Sequence, residues 1–146
     1  MNLTRRAATE ADYEYAKHVH DVAYREWTVA QFGPWNQEVQ DKFFDESWQR
    51  YNYEIFLLDD QPCGYCAVDF YDDEVRVREF AVDPEFQGEG IGTAFLDSLI
   101  TQFHSETTPV RLNAFKANTS AIGFYLRYGF TQTGESDTQL HFEWRT

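Results

Sequence analysis

The chain has 146 residues with 12 basic and 25 acidic side chains, so its formal net charge is -13 at pH 7. This length is typical of one domain, here residues 1–146, and 42% hydrophobic with 18% aromatic residues is too many for a disordered acidic tail. Because so acidic a surface repels phosphate groups, nucleic acids and anionic membranes are poor partners, whereas cationic ligands such as amines are favoured.

The N-terminal residues predict neither a targeting signal nor a membrane segment. Arg5 and Arg6 are not followed by the apolar stretch of a secretory signal, and the longest notable apolar run, residues 55–58, is too short to cross a bilayer. Cys63 and Cys66 lie in strand-like residues without a second ligand pair, so we expect two reduced cysteines. These features predict a cytoplasmic protein.

Two helices are predicted after a short strand at residues 3–7. Thr9 and Asp12 have the spacing of a capping box, and the helix that they open ends near Phe32-Gly33-Pro34. Asn36 opens a second, shorter helix. Spacings of three and four predict the buried stripe of each helix: Tyr13, Ala16, His20, Ala23 and Trp27 on the first, and Val39, Phe43 and Ser47 or Trp48 on the second.

The pattern changes to strand-like alternation from residue 53. Runs at residues 53–58, 63–70 and 74–82 are separated by turn-forming residues and predict an antiparallel meander. Strict alternation along the third run places Glu79 on one face with Val75, Val77 and Ala81, and places Arg76 and Arg78 on the other.

The rest of the chain alternates helices and strands. Helical spacing runs from Ile91 to near His104-Ser105, a strand covers residues 110–115, and a helix runs from Asn118 to Gly129. Two last strands cover residues 130–133 and 139–144. The order of elements predicts an α/β domain in which one mixed sheet carries helices on both faces.

A glycine cluster lies between a predicted strand and a predicted helix, with the sequence Gln87-Gly88-Glu89-Gly90-Ile91-Gly92-Thr93. Glycines at alternate positions let backbone amides approach an anion, and the helix that follows adds the positive end of its dipole. The spacing differs from the dinucleotide fingerprint and lacks the lysine of a P-loop. The cluster predicts a diphosphate cradle, although glycine-rich turns at such junctions also occur for structural reasons.

A second motif follows further along the chain. Asn118 begins a helix, Tyr125 lies two turns on, and Gly129-Phe130 follows the end of the helix. Together with the glycine cluster, this pattern resembles the GNAT superfamily of acyl-CoA-dependent N-acyltransferases, and the resemblance covers residues 75–131 closely. It implies a mixed, mostly antiparallel central sheet with one splayed pair of parallel strands and helices on both faces.

The resemblance also implies how acetyl-CoA binds. Its diphosphate would lie on the amides of the glycine cluster, namely Gln87, Gly88, Glu89, Gly90, Ile91, Gly92 and Thr93. The pantetheine arm would pair with the preceding strand at Phe80, Ala81 and Val82. Asn118 would hold this arm, or it would only cap the helix that it begins. Glu89 stands where relatives are commonly basic, so it should weaken binding unless it points to solvent. Lys116, Arg127 or neither would bind the 3′-phosphate.

Three catalytic roles follow from the same resemblance. Tyr125 would protonate the departing thiolate, while the Val82 amide would stabilise the oxyanion. Glu79 would accept a proton from the amine, because free amines are mostly protonated at neutral pH. Plainer alternatives remain open, with Tyr125 as a core tyrosine and Glu79 as the partner of a neighbouring arginine.

These residues predict an N-acetyltransferase that moves an acetyl group from acetyl-CoA to a primary amine, by direct attack in a ternary complex. A small cationic metabolite is the predicted acceptor, and the alternatives are a protein or peptide N-terminal acetyltransferase and a non-catalytic acyl-CoA-binding regulatory module. Aromatic and acidic residues of the first helical region predict the acceptor site, although Trp27 and Phe32 could equally be core. They are Tyr24, Glu26, Trp27, Phe32 and Trp35. No metal is expected from the spacing of the histidines, and the resemblance allows a homodimer.

Overall fold

A computed structural model of the chain describes residues 2–103 and 108–145 and has the predicted order of elements. The strands are β1 (Leu3–Ala7), β2 (Tyr53–Leu58), β3 (Gln61–Phe70), β4 (Val75–Val82), β5 (Val110–Phe115), β6 (Thr131–Glu135) and β7 (Gln139–Trp144). The helices are α1 (Tyr13–Phe32), α2 (Gln37–Arg50), α3 (Ile91–Phe103) and α4 (Thr119–Tyr128). Helix α3 is described to Phe103, so the helix end predicted near His104-Ser105 lies outside the described residues.

The strands form one sheet in the order β1-β2-β3-β4-β5-β7-β6. Neighbouring strands are antiparallel except for β4 and β5, which pair in parallel only at Val75 with Val110 and at Arg76 with Arg111. Beyond these two pairs the strands separate. The mixed sheet, the antiparallel meander and the splayed parallel pair are therefore confirmed.

A β-bulge in β4 decides which way Glu79 points. Val68 of β3 lies opposite Val77, but Ala67 lies opposite Glu79, so Arg78 is the extra residue. Since one inserted residue reverses every side chain beyond it, Glu79 faces away from Val77 and shares a face with Ala67. Strict alternation had placed Glu79 with Val75 and Val77, and that prediction is wrong.

Two hydrophobic cores lie on opposite faces of the sheet. The larger one joins the sheet to α3 and α4 and includes Val77 and Leu99. The other joins the sheet to α1 and α2 and is largely aromatic, with Phe44 and Tyr65 among its buried residues. Glu79 points into this second core, because its cross-strand partner Ala67 belongs to it.

Helix α2 buries Ser47 as its spacing predicts, but Phe44 is buried there instead of Val39 and Phe43. Val39 and Phe43 are 57% and 51% exposed, whereas Phe44 and Ser47 are buried. Adjacent phenylalanines at 43 and 44 let two stripes fit the helical period, and the packing of Phe44 against the rings of β2 and β3 selects one of them. On α1, the predicted buried stripe is confirmed at Ala16 and His20.

Cys63 and Cys66 are buried free thiols within the larger core. Among the described residues, no group of three or more His, Cys, Asp or Glu side chains is arranged to hold a metal ion. The helices in that part of the chain are also too short or too polar to cross a membrane.

Candidate active site

The glycine loop leads directly into α3 and is exposed from Gln87 to Gly90. Gly88 and Gly90 have φ angles of 85° and 78°, in the left-handed region that favours glycine. Because left-handed and ordinary backbone conformations alternate here, successive amides point toward one concave surface. The start of α3 adds positive potential there. The loop therefore fits a diphosphate, and the Glu89 side chain beside it is exposed.

Asp83 anchors the start of this loop. Its Oδ1 accepts a hydrogen bond from the Glu85 amide at 3.0 Å, its Oδ2 accepts one from the Tyr15 hydroxyl at 3.0 Å, and its own amide donates to the Cys63 carbonyl at 2.8 Å. Sequence reasoning missed Asp83 and Tyr15. The pattern Asp83-Pro84 is a helix-start signal that could have indicated the cap, but it contains nothing that points to α1.

The end of β4 borders the gap left by β5. The Phe80 ring stacks on Phe95 at 4.6 Å between centroids, while the Phe80 carbonyl accepts a hydrogen bond from the Tyr24 hydroxyl at 2.7 Å. On the β3 side, a Cβ at Gly64 would lie 2.3 Å from the Ala81 carbonyl oxygen, so only glycine permits this approach. Contacts with β3 and α1 thus hold the end of β4 at residues 80–82. On its other side this end of β4 is separated from β5.

Glu79 is a partly buried carboxylate that the second core surrounds. Desolvation raises its pKa to about 7, and a hydrogen bond from Ser47 opposes that shift. Ser47 also hydrogen bonds to the Tyr53 hydroxyl at 2.6 Å. The neighbouring Arg76 and Arg78 instead pair with Glu74 and Asp69. A carboxylate with this pKa can exchange a proton near neutral pH.

The hydroxyls of four tyrosines are within electrostatic reach of Glu79. Burial raises the pKa of Tyr24, Tyr53, Tyr65 and Tyr125, and the charge of Glu79 raises each of them further. These tyrosines come from α1, β2, β3 and α4 respectively. All four hydroxyls consequently keep their protons at neutral pH.

Tyr125 lies on α4 with its ring against Phe130 and Phe142, at 5.6 Å and 5.9 Å between centroids. Its residue is 7% exposed. The ring is therefore part of the core, and the charge of Glu79 acts on its hydroxyl by raising the pKa of Tyr125.

Asn118 caps α4 by accepting a hydrogen bond from the Ala121 amide at 3.1 Å, and its residue is 7% exposed. Lys116 pairs with Glu135 at 2.8 Å. The guanidinium of Arg127 lies over Gly123 on the same helix, since a Cβ at Gly123 would be 2.9 Å from its Nη1.

Of the predicted acceptor residues, the structure brings Tyr24 to Glu79. The other predicted acceptor residues lie further along α1 or after its end. Phe32 packs edge-on against Phe115 at 5.5 Å, and the Trp35 indole donates to Gln37 at 3.0 Å. Glu26 is exposed and Trp27 is partly buried.

Gln31 fastens the last turn of α1 across the ends of two strands. Its amide donates to the Thr138 carbonyl at 2.8 Å, and its carbonyl accepts from the Ala117 amide at 2.8 Å. Together with the contact between Phe32 and Phe115, this bridge joins the end of α1 to the end of β5 and the start of β7. Sequence reasoning missed Gln31, because a glutamine on a helix carries no signal for a partner 86 or 107 residues away.

A splayed parallel pair of strands, a glycine-rich loop at a helix start and a partly buried carboxylate at the gap are together the fold and site expected of acyl-CoA-dependent transferases. Residues 18–130 match the family described as "Acetyltransferase (GNAT) family", and the chain belongs to that family.

Three known proteins are similar to this chain, two of them in sequence and one in fold. It is 28% identical over 100 residues to the [ribosomal protein bS18]-alanine N-acetyltransferase of Salmonella typhimurium, an alignment that covers 68% of this chain and 66% of that relative, just under two thirds. It is 38% identical over 78 residues to the peptidyl-lysine N-acetyltransferase YjaB of the same organism, covering 53% and 48%. The crystal structure of PaiA N-acetyltransferase from Thermoplasma acidophilum, in complex with coenzyme A, has the same fold, with a TM-score of 0.76, 16% identity and coverage of 100% of both chains.

Proposed function

We propose that this protein is an N-acetyltransferase that moves an acetyl group from acetyl-CoA to a primary amine, by direct attack in a ternary complex. One observation carries the proposal: Glu79, with a pKa of about 7, faces the α1 and α2 side of the sheet where β4 separates from β5. A base that titrates near neutral pH is what an amine nucleophile needs, because most of the free amine is protonated there.

Acetyl-CoA supplies the activated acyl group, and two segments of this chain hold it. The amides of the glycine loop, residues 87–93, bind the diphosphate with the dipole of α3. The edge of β4 at Phe80, Ala81 and Val82 pairs with the pantetheine arm, as a β-strand edge pairs with an added strand. Asn118 lies across the gap at the start of α4 and orients the arm from that side.

The chemical step needs three groups of the protein. Glu79 takes a proton from the ammonium, so that the nitrogen lone pair forms the new N–C bond while the C–S bond breaks. The Val82 amide stabilises the negative charge that develops on the carbonyl oxygen. Tyr125 keeps its proton at working pH and gives it to the departing sulfur, after which the new amide nitrogen loses its second proton to the Tyr125 oxygen and Glu79 releases the first proton to solvent.

A small cationic amine is the acceptor that the net charge of the chain favours. The net charge of -13 attracts cations.

A protein amine is the second candidate acceptor, and the names of relatives favour it. One relative is named for the alanine of a ribosomal protein and another for peptidyl-lysine. The alternative of a non-catalytic acyl-CoA-binding module predicts cofactor binding without thiol release.

Thermal unfolding with and without acetyl-CoA tests cofactor binding first. A ligand at about 100 times its Kd stabilises the native state by about 2.7 kcal/mol, which is a clear upward shift of Tm. The absence of a shift at millimolar acetyl-CoA would overturn the proposal.

Release of free thiol, measured with polyamines, aminoglycosides, amino acids and peptides, then distinguishes the candidates. Faster release with small polyamines than with peptides supports the first acceptor class, and the reverse order supports the second. Binding of acetyl-CoA with no release from any amine favours the regulatory module.

A further inference from the structure

The Tyr65 hydroxyl has no hydrogen-bond partner among the residues that the structure describes. Tyr65 is 0% exposed whereas Glu79 and Tyr24 are partly exposed, so a group bound at those two residues contacts the Tyr65 hydroxyl only after the side chains around it shift. Leaving a buried hydroxyl unpaired costs free energy, and a tyrosine that only filled space could be replaced by phenylalanine without that cost. The hydroxyl therefore calls for a functional explanation.

The strand register directs this hydroxyl toward the reaction site. Tyr65 lies opposite Ala81, and Ala67 lies opposite Glu79, so Tyr65 and Glu79 are diagonal neighbours on one face of the sheet. Diagonal neighbours are within reach of long side chains. The Tyr65 ring packs against Tyr53 at 5.5 Å between centroids, which fixes its direction.

Neutral and negative oxygens surround the site on this side. Tyr24 uses its proton in the bond to the Phe80 carbonyl, which leaves the lone pairs of its oxygen free to accept. The Tyr65 hydroxyl lies within electrostatic reach of Tyr24, Tyr53, Glu79 and Asp21. None of these groups is a cation, so the cluster offers acceptors that match a positively charged donor.

We propose that the Tyr65 hydroxyl oxygen, together with Glu79 and Tyr24, binds the ammonium group of the acceptor, which is an alkyl primary amine with no carboxylate near its nitrogen. This inference rests on the proposed function. A primary ammonium has three N–H donors, one for each oxygen, whereas a methylated amine leaves an oxygen unpaired. A carboxylate close to the nitrogen would be repelled by Glu79 and Asp21, and the aromatic rings favour alkyl carbons.

Binding is tested without turnover by thermal unfolding of the full chain. The probe is 1,4-diaminobutane, and the control ligand is its fully N-methylated analogue, which has the same charge but no N–H donors. The protein variants are Tyr65→Phe and Tyr13→Phe. Tyr13 is a matched control because it packs in the same aromatic core and its hydroxyl bonds to Asp45 of α2.

The diamine is expected to raise the Tm of the wild type more than its methylated analogue does. That preference disappears in Tyr65→Phe and persists in Tyr13→Phe. Without ligand, Tyr65→Phe unfolds at the wild-type temperature or higher, because no bond is lost. Any of three results would overturn the proposal. The first is the same preference for the diamine in Tyr65→Phe as in the wild type, and the second is no such preference in the wild type. The third is a loss of stability in Tyr65→Phe as large as that in Tyr13→Phe.

Steady-state kinetics add a second readout. Tyr65→Phe should raise the KM for the amine about tenfold, as loss of one hydrogen bond to a charged group predicts, while the KM for acetyl-CoA stays unchanged. Preferential diamine binding without thiol release would leave this site standing and overturn the proposed function. Thiol release together with an unchanged KM for the amine in Tyr65→Phe would support the proposed function and overturn this site.

Discussion

The Tyr15 hydroxyl donates a 3.0 Å hydrogen bond to Asp83, and this bond joins the first helix to the start of the glycine loop. Asp83 is 9% exposed and also caps the turn that precedes Gln87. Helix α1, which carries part of the proposed acceptor site, and the proposed diphosphate loop are therefore connected through one carboxylate.

Replacement of Tyr15 by phenylalanine should weaken acetyl-CoA binding about threefold to tenfold and lower the free energy of unfolding by about 1–2 kcal/mol, because one hydrogen bond to a buried carboxylate is lost. Calorimetric titration measures the first effect and urea unfolding the second. Tyr13→Phe is the matched control, since it removes another hydroxyl–carboxylate bond of α1 at a distance from the loop. Equal acetyl-CoA affinity in both variants would contradict a role of Tyr15 in holding the loop.

Glu79 should determine the acidic limb of the pH–rate profile. Below its pKa of about 7 the carboxylate is protonated and cannot accept the proton of the ammonium, so kcat/KM of the wild type should fall about tenfold per pH unit. In Glu79→Gln that limb should disappear, and kcat at pH 8 should drop by about 10²-fold.

Initial rates from pH 5 to 9 provide the measurement for Glu79. Glu54→Gln is a suitable comparison, because Glu54 is a strand carboxylate opposite Cys66, on the other face of the sheet from Glu79. An acidic limb that does not move in Glu79→Gln would indicate that water or the substrate itself supplies the base.

The same carboxylate should make stability depend on pH. Its pKa is about 7 in the folded chain against an ordinary value of 4.5, so between these values the folded chain holds a proton that the unfolded chain has lost. The contribution of Glu79 to stability therefore falls as pH rises from about 4.5 to about 7 and then stays constant.

Glu79→Gln should consequently gain about 1–3 kcal/mol relative to the wild type between pH 4.5 and pH 8. Urea unfolding of both proteins at these two pH values gives the difference. The same difference in stability at both pH values would show that Glu79 ionises normally in the folded chain.

Removal of the Tyr125 hydroxyl should lower kcat by about 10²-fold with little change in acetyl-CoA affinity, because the hydroxyl acts on the departing sulfur. Stopped assays of thiol release and calorimetric titration separate the two quantities. Tyr128→Phe is the comparison on the same helix, since its hydroxyl bonds to Asp97 at 2.6 Å. An unchanged kcat in Tyr125→Phe would reduce Tyr125 to a packing role.

Gly90→Val should weaken CoA binding at least tenfold, because a β-branched residue cannot adopt a φ of 78° without strain and the amides of the loop must turn away. Titration with CoA measures the loss. Gly33→Val imposes the same kind of strain at the end of α1, where φ is 97°, and should leave CoA affinity intact. Retained affinity in Gly90→Val would exclude the loop as the diphosphate site.

The secondary structure could be predicted from the sequence because its signals are local. Strands β2, β5 and β7 have their predicted bounds, and the N-cap at Asn36 and the stop at Gly129 coincide with the ends of helices. The glycine cluster and the motif from Asn118 to Phe130 likewise indicate the family, since each is a contiguous pattern. Local patterns failed to predict the buried face of α2, because Phe43 and Phe44 are adjacent and either one fits the helical spacing.

The surroundings of Glu79 could not be predicted, because they depend on contacts between distant parts of the chain. A one-residue bulge at Arg78 reverses the direction of Glu79, and alternation alone contains no signal for it. Tyr65 and Ser47 meet the carboxylate only after β3 and α2 pack together.

By itself the sequence determined the order of elements, the glycine loop and the acidic charge, since periodicity, capping and composition act over a few residues. The tertiary structure decided which carboxylate is desolvated, which hydroxyls lie near it and which strands the end of α1 joins. The physical reason is that desolvation and hydrogen bonding across the sheet arise from packing, which brings together residues as far apart as Gln31 and Thr138.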